Sequence, residues 1–307
     1  MESEKGMKDM KKRSFKAVLL LFVLTTLTIA LGGCSGDKKG DISSQITIGI
    51  PQDLEDSLDP HKMVTAGTRE VLFNIFEGLV KVTSDGDFVP AVASSYEETE
   101  GGKVYTFTLR DNVKFHDGST VTAEDVKFSL DKCADTSAGE PLVAAFSNID
   151  SVNILDDKTV QVVLKEADTE FLAYMTTAII PASNADPDTN PIGTGPYKFV
   201  SRSPQENFVM ERFDDYWGEP ANIKDVTLKI CANADTIVMD LEGGSIDMFA
   251  RVTSTQAAEL SDNFNVLEGT MNLVQALYLN NAEAPFDNEK VRQALCYAID
   301  PQEIMMM

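Results

Sequence analysis

Fifteen residues without a charge, Ala17 to Leu31 (AVLLLFVLTTLTIAL), follow a segment carrying Lys5, Lys8, Lys11, Lys12, Arg13 and Lys16. A basic stretch followed by an apolar one is the order of a secretory signal, and it takes residues 1–33 out of any fold. A spanning helix needs about 20 apolar residues. This run is shorter and is broken by Thr25, Thr26 and Thr28, so cleavage is expected rather than membrane crossing. Residues beyond it are expected to fold outside the cytoplasm.

The apolar run leads directly into Leu31-Gly32-Gly33-Cys34. Those four residues resemble a bacterial lipobox, in which small residues admit the peptidase and the cysteine sulfur is acylated; an ordinary signal with an incidental cysteine is the alternative reading. Two or more acyl chains on Cys34 hold a protein on a membrane without crossing it. Residues 34–43, with the polar Ser35 to Asp41 (SGDKKGD), then read as the lipidated residue and a flexible tether.

Residues 1–33 hold six basic and three acidic side chains, so of the 26 Lys+Arg and 49 Asp+Glu in the chain 20 and 46 remain, a net charge of −26. So acidic a surface repels phosphate backbones, and nucleic acid is excluded as a partner. The apolar and charged fractions, 43% and 24%, are those of a globular chain. Two histidines, His61 and His116, leave little for His-based catalysis, and no metal site or cofactor is expected. Nucleotide-binding and nucleophile-elbow glycine motifs are absent. Asp53, Glu55, Asp56 and Asp59 lack calcium-loop spacing and read as a solvated acidic loop. Asp214-Asp215-Tyr216-Trp217 reads as a turn with an aromatic plug, with a carbohydrate platform as the alternative. Cys133, Cys231 and Cys296 are far apart; buried free thiols are expected, with one bridged pair left open.

Periodicity predicts a strand over Ile46–Ile50 and a helix from Arg69 to near Gly78 with Val71, Leu72, Ile75 and Phe76 on one face. In Lys103 to Arg110 (KVYTFTLR), Tyr105, Phe107 and Leu109 alternate with Val104, Thr106 and Thr108, which predicts a strand. Thr122 to Asp125 is a capping-box pattern. Asp156-Asp157 is expected to turn a hairpin, and Asp235 to Glu242 to form a helix closed by Gly243-Gly244. Strands are predicted near Tyr197, Asn207 and Val226, and again over Val274 to Asn280, followed by a helix capped by Asp287. Strands and helices alternate irregularly, which predicts a mixed α/β (α+β) fold.

Leu58-Asp59-Pro60, Phe76-Glu77-Gly78-Leu79, Leu109 to Leu130 (LRDNVKFHDGSTVTAEDVKFSL), Gly193 to Phe199 (GTGPYKF), Leu241 to Asp247 (LEGGSID) and Asn281 to Asp300 (NAEAPFDNEKVRQALCYAID) carry a resemblance over nearly all of residues 46–304. Together they resemble the family 5 extracellular solute-binding proteins of peptide, nickel and opine ABC importers. The resemblance implies a periplasmic-binding-protein-like fold of two lobes. The first lobe would be residues 44–275, with a core sheet from 44–75 and 190–275 and an inserted subdomain 76–189. Residues 276–307 would be the crossover and the start of a second lobe that stops after one helix.

On this reading the chain is no enzyme. It captures oligopeptides, dipeptides or another small solute and hands them to a permease driven by an ATPase, as a monomer anchored on the outer face of the cell membrane. Met63, Val64, Thr65 and Ala66 correspond to one wall of the ligand site, Ala276, Leu277, Tyr278 and Asn280 to a crossover wall, and Phe146 to an aromatic contact. Each has a plain packing alternative. A peptide-sensing receptor and an inactive remnant are the rival functions, and a secreted hydrolase built on Asp214 and Asp215 is a third.

Overall fold

The computed structural model describes residues 44–54, 57–137, 141–231, 233–260, 263–269 and 276–300. Signal, lipobox and tether, including Cys34, lie outside the described residues, as do Glu55, Asp56 and residues 270–275. Among the described residues no helix is long and apolar enough to cross a membrane. The chain forms two compact units, Met1–Val252 and Thr253–Met307.

The first unit carries a five-stranded sheet in the order β11-β1-β10-β9-β8, from β1 (Gln45–Ile50), β8 (Tyr197–Ser203), β9 (Asn207–Arg212), β10 (Asp225–Ile230) and β11 (Met248–Phe249). β1 runs parallel to both neighbours, whereas β8, β9 and β10 are antiparallel. Its core gathers Leu72, Ile75, Phe208 and Leu228, with Ile46, Ile48 and Ile50 against them. A four-stranded antiparallel sheet, β4-β5-β7-β6, comes from β4 (Ala93–Thr99), β5 (Val104–Leu109), β6 (Ile149–Asp156) and β7 (Thr159–Leu164). Tyr105, Phe107 and Leu109 are buried on β5 as the alternation predicts, beside Val160, Val162 and Leu164 of β7. Helix α2 (Ala123–Ala134) buries Val126 and Leu130 in this core. Its predicted capping box is formed: Thr122 Oγ1 accepts from Asp125 N, and Thr122 N donates to Asp125 Oδ2 at 3.0 Å. A small hairpin, β2 (Val80–Val82) and β3 (Phe88–Pro90), turns at Gly86.

The first helix departs from the expectation. α1 spans Ala66–Leu72 and does not reach Gly78. Beyond Leu72 the carbonyls that would continue it are taken from outside: Asn74 O accepts from Tyr197 N and Ile75 O from Gly195 N. These bonds require glycine, because a Cβ on Gly193 would lie 2.1 Å from Ile75 O and one on Gly195 2.5 Å from Asn74 O. A tertiary contact thus ends a helix that its own apolar spacing would have extended. Helix α3 (Ala234–Glu242) closes at Gly243, with Gly244 at positive φ, as expected.

The second unit contains α4 (Ser254–Leu260) and α5 (Glu289–Ala298). Residues 276–280 have no regular structure, so the described part of the strand predicted to begin at Val274 is not formed. The cap of α5 is Asn288, whose side chain accepts from Lys290 N, and not Asp287. Asp287 N donates to Glu283 O and so belongs to the preceding turn.

Candidate functional site

A cleft of about 790 Å³ opens in the first unit between three segments distant in sequence. Pro60 to Met63 and the outer face of α1, with Arg69 and Phe73, form one wall. The C-terminal end of α2, with Lys132, Cys133 and Asp135, and the segments with Pro141 to Val143, Phe146 and Tyr174 complete the lining. The volume is in the range of small-molecule sites.

The first wall is fixed by a buried ion pair. Asp59 is fully buried, and its Oδ2 lies 2.8 Å from Lys132 Nζ and 3.6 Å from Lys62 Nζ. Burial pushes this carboxyl upward, but the bonds from Lys132 and from His61 N outweigh it and hold it below the usual carboxylate range. The His61 ring pairs through Nε2 with Ala178 O at 2.8 Å, and burial lowers its pKa, favouring neutral imidazole. Asp53 is also buried, between Arg202 at 3.2 Å and Gln205 N at 2.8 Å. The acidic loop is therefore not simply solvated: Asp53 and Asp59 are folded inward because cations from distant elements meet them.

The predicted site residues separate into three groups. Met63 and Phe146 border the cleft, but Phe146 is only 3% exposed and packs in the core against Phe171, its packing alternative. Val64, Thr65 and Ala66 adjoin Met63 without lining it: Val64 is exposed, Thr65 caps α1, and Ala66 begins that helix. Val64 is therefore not a packing residue. Ala276, Leu277, Tyr278 and Asn280 belong to the second unit, where all four are exposed, so Tyr278 is not sheet core. Sequence reasoning missed Lys62, Arg69, Leu142 and Tyr174. Lys62 and Arg69 are close in sequence, but only the fold brings Leu142 and Tyr174 into the same cleft.

Other candidate chemistry resolves into structure. Asp214 pairs with Arg212 at 2.8 Å and Asp215 with Lys114 at 2.7 Å, so the two carboxylates do not form a catalytic pair. Trp217 Nε1 donates to Glu77 Oε2 at 2.6 Å and Tyr216 Oη to Glu77 Oε1 at 2.7 Å, with the Arg110 guanidinium 4.5 Å from the indole centre. The aromatics plug a joint and offer no sugar platform. His116 Nε2 donates to Gly195 O at 3.0 Å while Nδ1 accepts from Gly193 N at 3.3 Å, a structural role. Cys133, Cys231 and Cys296 are free thiols, but Cys296 is exposed, against the expectation of burial, because α5 buries no residue. A smaller cavity of about 410 Å³ beside Trp217 is lined by Arg110 and Lys158, which already bond Ala91 O and Arg110 O.

The mixed α/β unit with its solute-sized cleft has the fold of the periplasmic binding proteins. The profile of bacterial extracellular solute-binding proteins, family 5 (middle), matches residues 87–306, and the chain belongs to that family. It is 30% identical to the glutathione-binding protein GsiB of Pectobacterium atrosepticum over 81% of this chain and 51% of that protein. It is 29% identical to the oligopeptide-binding protein AppA of Bacillus subtilis, over 96% of this chain and 59% of AppA. The structure of AppA with a nonapeptide superposes with a TM-score of 0.71 at 26% identity, covering 85% of this chain and 54% of AppA. NikZ of Campylobacter jejuni in complex with Ni(L-His) gives a TM-score of 0.76 at 26% identity, covering 85% and 54%. The chain spans about half the length of the curated relatives it matches.

Proposed function

We propose that this chain is the solute-receiving first lobe of the substrate-binding component of an ABC importer. It captures a peptide or another small peptide-like solute outside the membrane and delivers it to a permease driven by an ATPase. Residues 44–275 form the lobe, with 76–189 as the insertion in its core sheet, and 276–307 lead toward the second lobe. Cys34 carries the lipid that holds the protein at the membrane. The observation that carries the reading is the cleft itself. Met63 and Phe146 come from separate parts of a chain of this family and border one solute-sized space. The ligand extends from Met63 onto the adjoining Val64, Thr65 and Ala66.

The test is thermal unfolding of the full-length protein with glutathione, dipeptides and longer peptides. A ligand at 100 times its Kd stabilises by about 2.7 kcal/mol. A panel in which no peptide shifts the midpoint refutes peptide capture. Cys34→Ser should move the protein from the membrane fraction to the medium or periplasm; retention at the membrane refutes the anchor.

A further inference from the structure

The cleft has a sign opposite to that of the chain. Acidic residues outnumber basic ones 49 to 26, yet the side chains lining this cleft include Lys62, Arg69 and Lys132 against the single carboxylate of Asp135. Two of these cations retain their charge for a ligand. Lys132 is matched by Asp59 at 2.8 Å, whereas Lys62 is 3.6 Å from that same oxygen with 62% of its side chain exposed. Arg69 makes one long bond, from Nη2 to Met63 O at 3.3 Å, and its guanidinium has five N–H donors. Asp135 is turned into its own loop: Ser137 N and Oγ donate to its two oxygens at 2.8 and 2.9 Å. Neutral His61 adds no charge beside them.

The same rim is apolar. Phe73, Leu142 and Tyr174 line the cleft with 67%, 52% and 37% of their surfaces exposed, large values for such residues. Phe73 stands one turn of α1 beyond Arg69, so a charged and an apolar contact occur on one wall.

We propose that this cleft receives the carboxylate-bearing end of its ligand, with Arg69 and Lys62 on the carboxylate and an adjoining apolar side chain against Phe73, Leu142 and Tyr174. This rests on the binding function proposed above and assigns which end and which chemistry the first lobe reads. The guanidinium fork suits a carboxylate bidentately, and an exposed ammonium beside it adds charge without demanding geometry.

The experiment incubates the full-length protein with a protein digest of free-acid peptides, and in parallel with the same digest after its carboxyl groups have been converted to amides, and identifies retained peptides by mass spectrometry. The proposal expects free-acid peptides with an apolar C-terminal residue to be retained, and amidation to reduce retention roughly tenfold or more. Arg69→Gln and, separately, Lys62→Gln should weaken retention of the free-acid peptides more than retention of the amides. Equal retention of acids and amides overturns the carboxylate assignment while the binding function stands. Retention from neither digest overturns both.

Discussion

Lys132 Nζ lies 2.8 Å from Asp59 Oδ2 across 73 positions of sequence, and this bond ties the loop before α1 to the C-terminal end of α2. Asp59 has no exposed surface, so the pair is a constraint on the cleft wall rather than a surface contact. Removing one partner of such a pair strands the other charge.

Lys132→Met is therefore expected to cost up to about 3–5 kcal/mol, because it leaves the buried Asp59 carboxylate with only the largely exposed Lys62 at 3.6 Å. Asp59→Asn, which keeps an acceptor for His61 N, should cost less. The Asp59 pKa is depressed in the fold, so its contribution is fully present above its unfolded pKa and is lost as pH falls through the folded value. Urea midpoints of wild type and Asp59→Asn should converge as pH falls below about 4. A constant gap down to pH 2 would refute the role of this carboxylate.

Glu77 is the acceptor that joins the segment after α1 to the turn beyond β9. Its two oxygens take Tyr216 Oη and Trp217 Nε1, and burial pushes its pKa above the usual value. Glu77→Ala leaves two donors without an acceptor and is expected to cost roughly 1–3 kcal/mol for each. Trp217 is the single tryptophan, so its fluorescence reports the joint directly. Unchanged emission and stability in this variant would mean that the aromatic plug is held by packing alone.

The thiols should differ in reactivity. Cys296 is exposed, whereas burial raises the Cys133 thiol to about 11 and also raises that of Cys231. A thiol-specific disulfide reagent at pH 8 should modify Cys296 fastest, Cys133 in the cleft more slowly and Cys231 only upon unfolding. Modification of Cys133 as fast as Cys296 in the folded protein would contradict its half-buried setting and raised pKa.

What the sequence displayed and what it concealed divide along a physical line. β5, the Asp156-Asp157 hairpin and the Thr122–Asp125 box are legible because each is settled by neighbours within a few residues or by a face of period two. The end of α1 is not, since Asn74 and Ile75 give their carbonyls to Tyr197 and Gly195, more than a hundred positions away. The burial of Asp53 and Asp59 is hidden for the same reason, their cations being Arg202 and Lys132. Of the site, Met63 and Phe146 were legible through resemblance to the family. The cationic, apolar-rimmed character of the cleft was not, because Arg69 reads as an ordinary residue on the polar face of a helix until the fold brings Leu142 and Tyr174 into the same cleft.

Two histidines make the pH response unusually easy to follow. His116 holds the two glycines that press on Ile75 and Asn74 where α1 ends: its Nε2–H donates to Gly195 O and its Nδ1 accepts from Gly193 N. A second proton on Nδ1 would face the Gly193 N–H, and burial already lowers the ring pKa to about 4. A histidine depressed in the fold binds its proton more readily when unfolded, so stability is fully present above about 6.5 and falls as pH drops toward 4. The expected loss over that window is on the order of 3 kcal/mol, with His61 acting in the same direction. Proton NMR of the two imidazole Cε1–H signals should show neither ring titrating near pH 6.5, and His116→Gln should flatten the stability profile between pH 6.5 and 4. A His116 signal that titrates at its ordinary value would remove the histidine from the Gly193–Gly195 joint and leave the glycines alone to explain where α1 ends.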